Sequence, residues 1–151
     1  MKEKSRPWYD LLQRLLKKIT TWNIRGLNDT SKRRILKNHL FSQHSDLILL
    51  QESKFSSNDI EMIEKLFSKS YHCLSTEAIR KAGGLLMFWN KSKFFMHNAL
   101  STKHSLSDIF NMPDSRHTIC INNVYGPQRI KENLKMLKDV DEFRQHHGVN
   151  H

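Results

Sequence analysis

Two polar side chains of this 151-residue sequence stand at the ends of strand-like segments, where they could build a metal-phosphate site. Asn23 lies near the end of segment 19–24, and Glu52 follows the aliphatic run 47–50. Sites in open α/β sheets collect beyond the carboxyl ends of strands. A carboxylate there can bind Mg²⁺, which needs only one or two protein carboxylates beside waters and a phosphate. The alternatives are a turn asparagine and an exposed loop glutamate paired with a nearby lysine.

Tyr125 is the third candidate, because it closes the strand-like segment 118–125 immediately before a Gly-Pro turn. A phenol in that place could donate a hydrogen bond to a phosphate oxygen or orient a leaving group. The alternative is an aromatic residue that packs at a strand end. The nine histidines show no metal-ligand spacing, and the sequence contains neither a P-loop nor a dinucleotide-binding glycine motif.

The charge of the sequence favours a polyanionic partner. The net charge is +10, and residues 1–40 hold 11 Lys and Arg against three acidic residues. A basic surface attracts nucleic acid without reading its sequence, although a solvated surface rich in lysine is the alternative. No apolar run is long enough to span a membrane, and no secretory signal is visible. We therefore expect an intracellular protein that is not secreted and has no membrane partner, with the nucleus as one candidate compartment. Cys73 and Cys120 are expected to be reduced thiols.

Apolar periodicity predicts the order strand-helix-strand-helix, then several strands and a last helix. The predicted helices cover 8–18, 31–42, a segment beginning near Asn58, and 130–145; the predicted strands cover 19–24, 46–51, 71–75, 85–89, 94–100 and 118–125. Asn58 and Glu61, three residues apart, predict a capping box for the third helix. This order predicts an α/β fold, a layered sandwich with a mixed sheet and flanking helices. Residues 1–17 are treated as an amphipathic helical extension, 18–147 as the domain, and 148–151 as a frayed tail.

Together these segments resemble the endonuclease/exonuclease/phosphatase superfamily, which includes apurinic endonucleases, deoxyribonuclease I and inositol-phosphate phosphatases. The resemblance covers about residues 18–145 and lies in four stretches, namely 19–34, 46–54, 83–90 and 122–127. Their amino-acid sequences are most similar to that of the endonuclease domain of LINE-type (non-LTR) plant retrotransposons. The resemblance implies a sandwich of two mixed sheets and Mg²⁺-dependent hydrolysis of a phosphodiester in DNA by an activated water.

The resemblance also implies roles for individual residues. Glu52 would bind the metal, Asn23 would help to hold the metal or the phosphate, and Tyr125 would contact the scissile phosphate, so that all three are catalytic. The residues implied to contact nucleic acid are Arg25, Lys32, Arg33, Arg34 and Lys54.

The sequence departs from this family in the segment after Tyr125. The later Gly-Asp-x-Asn and Ser-Asp-His motifs, which supply the water-activating aspartate, an asparagine and a His-Asp pair, are absent. We therefore expect a truncated, catalytically impaired copy derived from a retroelement, with about half of the sandwich. Half a sandwich would leave an apolar sheet face uncovered and open to self-association. The alternatives are a non-catalytic basic nucleic-acid-binding protein and a phosphatase of the same superfamily.

Overall fold

Two β-sheets packed face to face, with helices outside, form the protein. The computed structural model describes residues 18–27, 29–67, 69–76, 83–113, 118–126 and 129–149, so the predicted helix over 8–18 lies almost wholly outside them. The strands are β1 (Ile19–Asn23), β2 (Leu47–Gln51), β3 (Tyr71–Thr76), β4 (Leu85–Asn90), β5 (Phe95–Ser101), β6 (Ser105–Asn111) and β7 (Thr118–Val124). The helices are α1 (Thr30–Ser42), α2 (Ser57–Phe67) and α3 (Ile130–His146).

The first sheet is mixed, with the strand order β1-β2-β4-β3. Strand β1 runs parallel to β2, as a strand-helix-strand crossover requires, whereas β4 runs antiparallel to both β2 and β3. The second sheet is antiparallel, with the order β5-β6-β7. The α/β sandwich predicted from the order of elements is confirmed.

Strand β2 lies at the centre of the molecule and is buried on both faces, which explains its unbroken aliphatic sequence. Ile48 and Leu50 pack in one apolar cluster with residues of α1 and α2. Leu47 and Leu49 point to the other face and pack in a second cluster with Leu106 and other residues of the second sheet. The alternation of side chains along one strand therefore joins the helical layer to the second sheet.

The expectation of an uncovered apolar sheet face is wrong. Strands β5 to β7 of the same chain cover that face, and Leu106 and Phe110 of β6 are fully buried against it. Sequence reasoning missed β6 because Ser105, Ser107 and Asp108 interrupt its apolar residues, although all three are buried. The strand therefore lacks the polar-apolar alternation that marks a half-exposed strand.

The caps of the first two helices are local hydrogen bonds. At α1, the backbone N–H of Ser31 donates to Asp29 Oδ1 at 2.7 Å, as expected for one of the predicted caps. At α2, the capping box is formed by Ser56 and Asp59, because both the N–H and the hydroxyl of Ser56 donate to Asp59 Oδ2 at 3.1 and 2.8 Å. The predicted Asn58–Glu61 box is therefore displaced by two residues, and Glu61 accepts a hydrogen bond from Lys65 at 2.8 Å instead.

Helix α3 forms where it was predicted, but most of its apolar stripe faces solvent. Ile130, Leu134 and Leu137 are 77%, 62% and 59% exposed, whereas Met136 is buried. The helix therefore packs through the side that carries Met136, on which Val140 and Phe143 are half-buried. Within the described ranges, no helix is both long enough and apolar enough to cross a membrane.

Candidate active site at the strand ends

The parallel pairing of β1 and β2 brings two of the predicted site residues together. Asn23 is level with Gln51 in the register of the two strands, so Asn23 and Glu52 emerge at the same edge of the sheet. Asn23 Nδ2 donates a hydrogen bond to Glu52 Oε1 at 3.0 Å. The Asn23 amide oxygen accepts a 3.3 Å hydrogen bond from the backbone N–H of Arg25, which fixes the orientation of the amide.

The backbone around Glu52 is held in an unusual conformation by its neighbours. Glu52 and Lys54 have φ values of 55° and 57°, in the left-handed region that side chains other than glycine rarely adopt. Backbone hydrogen bonds surround this loop: Gly26 N–H donates to the Glu52 carbonyl at 2.7 Å, and the N–H groups of Ser53 and Lys54 donate to the carbonyls of Gly84 and Gly83 at 3.1 and 3.0 Å. Two adjacent loops therefore fix the position of the carboxylate in advance.

Gly26 permits one of these close approaches. Its φ is +96°, and a Cβ built on it would lie 3.2 Å from the Lys54 side chain. A larger residue at position 26 would only displace the flexible Lys54 side chain. The glycine of the Asn-Ile-Arg-Gly stretch therefore has chiefly a conformational reason, its positive φ.

Tyr125 reaches the same carboxylate from the second sheet. Its hydroxyl lies close enough to the Glu52 side chain for each group to shift the pKa of the other, and its backbone N–H donates to the His104 carbonyl at 2.9 Å. We call Asn23, Glu52 and Tyr125 the site cluster. It lies between the ends of three strands that belong to both sheets.

The electrostatics of the site cluster favour an ionised glutamate and a protonated tyrosine. The hydrogen bond from Asn23 and then the neighbouring Tyr125 hydroxyl, followed by the charges of Lys54 and Arg25, lower the pKa of Glu52. The neighbouring Glu52 carboxylate and burial raise the pKa of Tyr125. The cluster therefore offers one fixed anion and neutral hydrogen-bond donors at neutral pH.

The predicted basic residues divide into two groups. Arg25, Lys32 and Arg34 are exposed and Lys54 is half-buried, so these four side chains can reach a ligand from solvent. Arg33 is different, because it is only 7% exposed.

The guanidinium of Arg33 makes its contacts inside the protein, which argues against the predicted contact with nucleic acid. Its Nε donates to the Leu27 carbonyl at 2.6 Å, one of its terminal nitrogens lies 3.3 Å from Asp59 Oδ1, and the group stacks 5.2 Å from the Phe55 ring centroid. Arg33 therefore joins the loop after β1 to the start of α2.

Asn123 and Gln51 are polar residues beside the site to which the sequence reasoning gave no role. Asn123 is 1% exposed, accepts a 2.6 Å hydrogen bond from Gln51 Nε2 and donates to two backbone carbonyls of the first sheet. The available signal was its place two residues before Tyr125, which puts both side chains on the same face of a strand.

The donor atoms of the site cluster suit a hard divalent cation that is only partly held by protein. Glu52 supplies one carboxylate, and oxygen donors of this kind suit Mg²⁺ rather than softer metals. Asn23 presents its Nδ2 to Glu52 and its oxygen to the Arg25 N–H, so its amide would have to turn over to give a second oxygen ligand. Among the described residues, no group of three or more His, Cys, Asp or Glu could hold a metal ion. The residues present therefore fit a Mg²⁺ ion that takes most of its ligands from water and a phosphate.

Comparison with known proteins shows the fold alone. No family model matches this chain, and no curated protein matches it. The human Nocturnin catalytic domain with a bound sulfate anion has a TM-score of 0.68 at 13% identity, over 95% of this chain and 65% of that one. AP endonuclease LMAP from Leishmania major has a TM-score of 0.56 at 19% identity, over 74% and 40%. An endonuclease/exonuclease/phosphatase family protein from Bacteroides thetaiotaomicron has a TM-score of 0.64 at 12% identity, over 87% and 59%. The chain thus spans between 40% and 65% of the length of these three structures.

Proposed function

We propose that this chain carries part of a Mg²⁺-dependent phosphodiesterase site that acts on nucleic acid. The observation that supports the proposal best is the site cluster, in which an amide from the first sheet hydrogen-bonds one ionised carboxylate and a phenol that follows the second sheet lies beside it. The fold supports it as well, because an AP endonuclease shares it. The amino-acid sequences of the motifs support the more specific proposal that the chain derives from a LINE-type retrotransposon endonuclease.

Each member of the site cluster has a chemical role in this proposal. Glu52, kept ionised by its neighbours, and Asn23 would hold the Mg²⁺ ion. When bound, the ion would neutralise charge that develops on the phosphate. Tyr125, kept protonated, would donate a hydrogen bond to a phosphate oxygen, because a phenol with a raised pKa remains a donor at neutral pH.

Nucleic acid is the substrate class that the surrounding charge favours. Arg25 and Lys54 lie close enough to Glu52 to affect its pKa, so they would also attract a phosphate to the site. Lys32 and Arg34 are exposed on the first turns of α1 and would contact backbone phosphates on either side of it. Contacts of this kind confer affinity and salt dependence but no sequence preference.

We further propose that this chain by itself is a weak catalyst. Its 151 residues contain no Gly-Asp-x-Asn or Ser-Asp-His motif, so the residue that would activate water is not supplied. A missing general base costs about 10²–10⁴-fold in rate, and here several groups are missing together.

Nicking of supercoiled plasmid by a molar excess of protein tests the proposal. We expect slow nicking that requires Mg²⁺, is abolished by EDTA and by Glu52→Gln, and survives in Glu61→Gln. Glu61 is a matched control because it is an exposed glutamate of α2, paired with Lys65 and not part of the site cluster. Nicking that persists in Glu52→Gln would contradict the assignment of the site, and rapid multiple-turnover nicking by the parent protein would contradict the weak catalysis.

A non-catalytic nucleic-acid-binding protein is the second candidate, and the charge distribution is the observation that favours it. Residues 1–40 hold 11 basic and three acidic residues. This candidate predicts salt-sensitive binding to DNA of any sequence, with no metal-dependent nicking and no effect of Glu52→Gln. Filter binding over a range of salt concentrations, combined with the nicking assay, separates the two candidates.

A further inference from the structure

Directly below the site cluster, a set of hydrogen bonds crosses both sheets. Gln51 Nε2 donates to Thr21 Oγ1 at 3.1 Å and to Asn123 Oδ1 at 2.6 Å. Asn123 Nδ2 in turn donates to the backbone carbonyls of Leu50 at 3.2 Å and Leu86 at 2.9 Å. We call Thr21, Gln51 and Asn123 the inter-sheet network. It connects β1, β2 and β4 of the first sheet to β7 of the second.

The members of the inter-sheet network occupy regular positions relative to the site cluster. Thr21 stands two residues before the asparagine of the cluster, Gln51 one residue before its glutamate, and Asn123 two residues before its tyrosine. Residues two apart in a strand share a face, so the network underlies the cluster on both β1 and β7. Every strand end that carries a residue of the cluster is therefore bonded to the same network.

Asn123 is the member that joins the two sheets. It is 1% exposed and lies beside Leu106, which is fully buried, so an apolar residue would suit its packing. Instead, the amide nitrogen of Asn123 donates hydrogen bonds to two carbonyls of the first sheet, and its oxygen accepts one from Gln51. Other contacts between the sheets are largely apolar, as in the cluster that contains Leu47 and Phe110. Directional hydrogen bonds define one relative position of the strands more sharply than apolar contacts do.

We propose that Asn123 is a positioning residue, which sets the separation of the ends of β2 and β7 and thereby holds the Tyr125 hydroxyl beside the Glu52 carboxylate. Asn123 is not part of the site cluster, so it would act on the position of Tyr125 through strands β2 and β7. The geometric part of this proposal is independent of any activity. Its catalytic consequence rests on the proposed function.

Fluorine NMR of protein labelled with 3-fluorotyrosine tests the geometric part. The chain has three tyrosines, and the Tyr125 resonance is identified by its loss in Tyr125→Phe. In the parent protein, Glu52→Gln should shift the Tyr125 resonance and leave that of Tyr71 in place. The same Glu52→Gln change is then made in an Asn123→Ala background and in an Asn122→Ala background. Asn122 is the matched control, because it is the same residue type at the preceding position and is exposed.

We expect the response of Tyr125 to Glu52→Gln to fall by more than half in the Asn123→Ala background and to persist in the Asn122→Ala background. A full response in folded Asn123→Ala protein would overturn the proposal. If Asn123→Ala does not fold, Gln51→Ala provides the test, since Gln51 is only half-buried and its loss removes the link to Thr21 and one bond of Asn123. In Gln51→Ala the response should also fall, and an unchanged response would overturn the proposal.

The nicking assay separates failure of this inference from failure of the proposed function. If the parent protein nicks DNA, Asn123→Ala should lower kcat about 10- to 100-fold with KM changed less than about twofold, because a misplaced group costs rate more than binding. An unaltered kcat in this variant would overturn the catalytic consequence. If no variant nicks DNA but the fluorine response is lost only without Asn123, the positioning role stands and the proposed function fails.

Discussion

Asp108 should make the protein less stable as pH rises, since it is a carboxyl group buried without a partner. It lies on β6 between Leu106 and Phe110 on the face that meets the first sheet, and it is 0% exposed. Neither of its oxygens accepts a hydrogen bond from any residue that the structure describes. Burial in these apolar surroundings raises the pKa of Asp108 from 3.8 to about 7.

The sign and size of the effect follow from linkage. Because the folded protein holds the Asp108 proton more tightly than the unfolded chain, its contribution to stability is full below about pH 4 and is lost as pH rises to about 7. The difference in pKa corresponds to a loss of up to about 4 kcal/mol, at about 1.4 kcal/mol per pKa unit. Asp108→Asn cannot ionise, so it should be about 2–4 kcal/mol more stable than the parent at pH 8 and about equal to it at pH 4.

Urea unfolding of the parent and Asp108→Asn proteins between pH 4 and pH 8, followed by tryptophan fluorescence, measures this difference. The other carboxyl groups titrate in both proteins and cancel in the comparison. Asp139→Asn, at a half-exposed position of α3, is the control and should show no such pH-dependent gain. A stability difference between parent and Asp108→Asn that stays constant from pH 4 to pH 8 would show that Asp108 is not the buried, unpartnered acid that the structure describes.

Three further predictions concern the site and its supports. Arg33→Ala should lower the free energy of unfolding by about 2–3 kcal/mol, because it removes a partly buried ion pair with Asp59 and the donor to the Leu27 carbonyl. It should leave the salt dependence of DNA binding unchanged, and a weaker salt dependence in filter binding would instead mean a phosphate contact. Ser56→Ala should lower the free energy of unfolding by about 1 kcal/mol through loss of the cap of α2, whereas Asn58→Ala should barely change it. A larger loss in Asn58→Ala than in Ser56→Ala, measured by urea unfolding, would mean that the capping box lies at Asn58 and Glu61 as predicted. Glu52→Gln should lower the pKa of Tyr125 towards its ordinary value, because the carboxylate that raises it is gone. Absorbance titration measures this pKa when the Tyr125→Phe protein serves as the reference, and an unchanged pKa would mean that the two side chains are not neighbours.

The sequence predicts the strands at the site well because their signals are local. The aliphatic run of β2 and the strand before Asn23 are both short segments between clear turn residues, and their parallel pairing follows from the helix between them. That Asn23 and Glu52 share a sheet edge is then a matter of topology. Their contact with Tyr125 needs the second sheet, and only the family resemblance pointed to it.

The features that sequence reasoning missed depend on contacts between distant segments. Arg33 looks like a solvated helix residue until Asp59 and Phe55, from the start of α2 and the loop before it, surround its guanidinium. Asn123 looks like a strand residue until the first sheet supplies carbonyl acceptors. A one-dimensional pattern gives no information about partners that are 22 residues (Arg33 to Phe55) to 73 residues away in the chain.

The left-handed backbone at Glu52 has a consequence for how this position changes in evolution. A glutamate in that conformation costs about 1–2 kcal/mol that glycine would avoid, and asparagine tolerates it better. The hydrogen bonds that impose the conformation come from backbone atoms of the loop, so they persist whatever side chain stands there. Backbone conformation alone therefore favours replacing this glutamate, whereas the hydrogen bond from Asn23 and the proposed chemistry at the carboxylate oppose the replacement. In related sequences we accordingly expect glutamate at this position where the carboxylate is used, and glycine or asparagine where it is not.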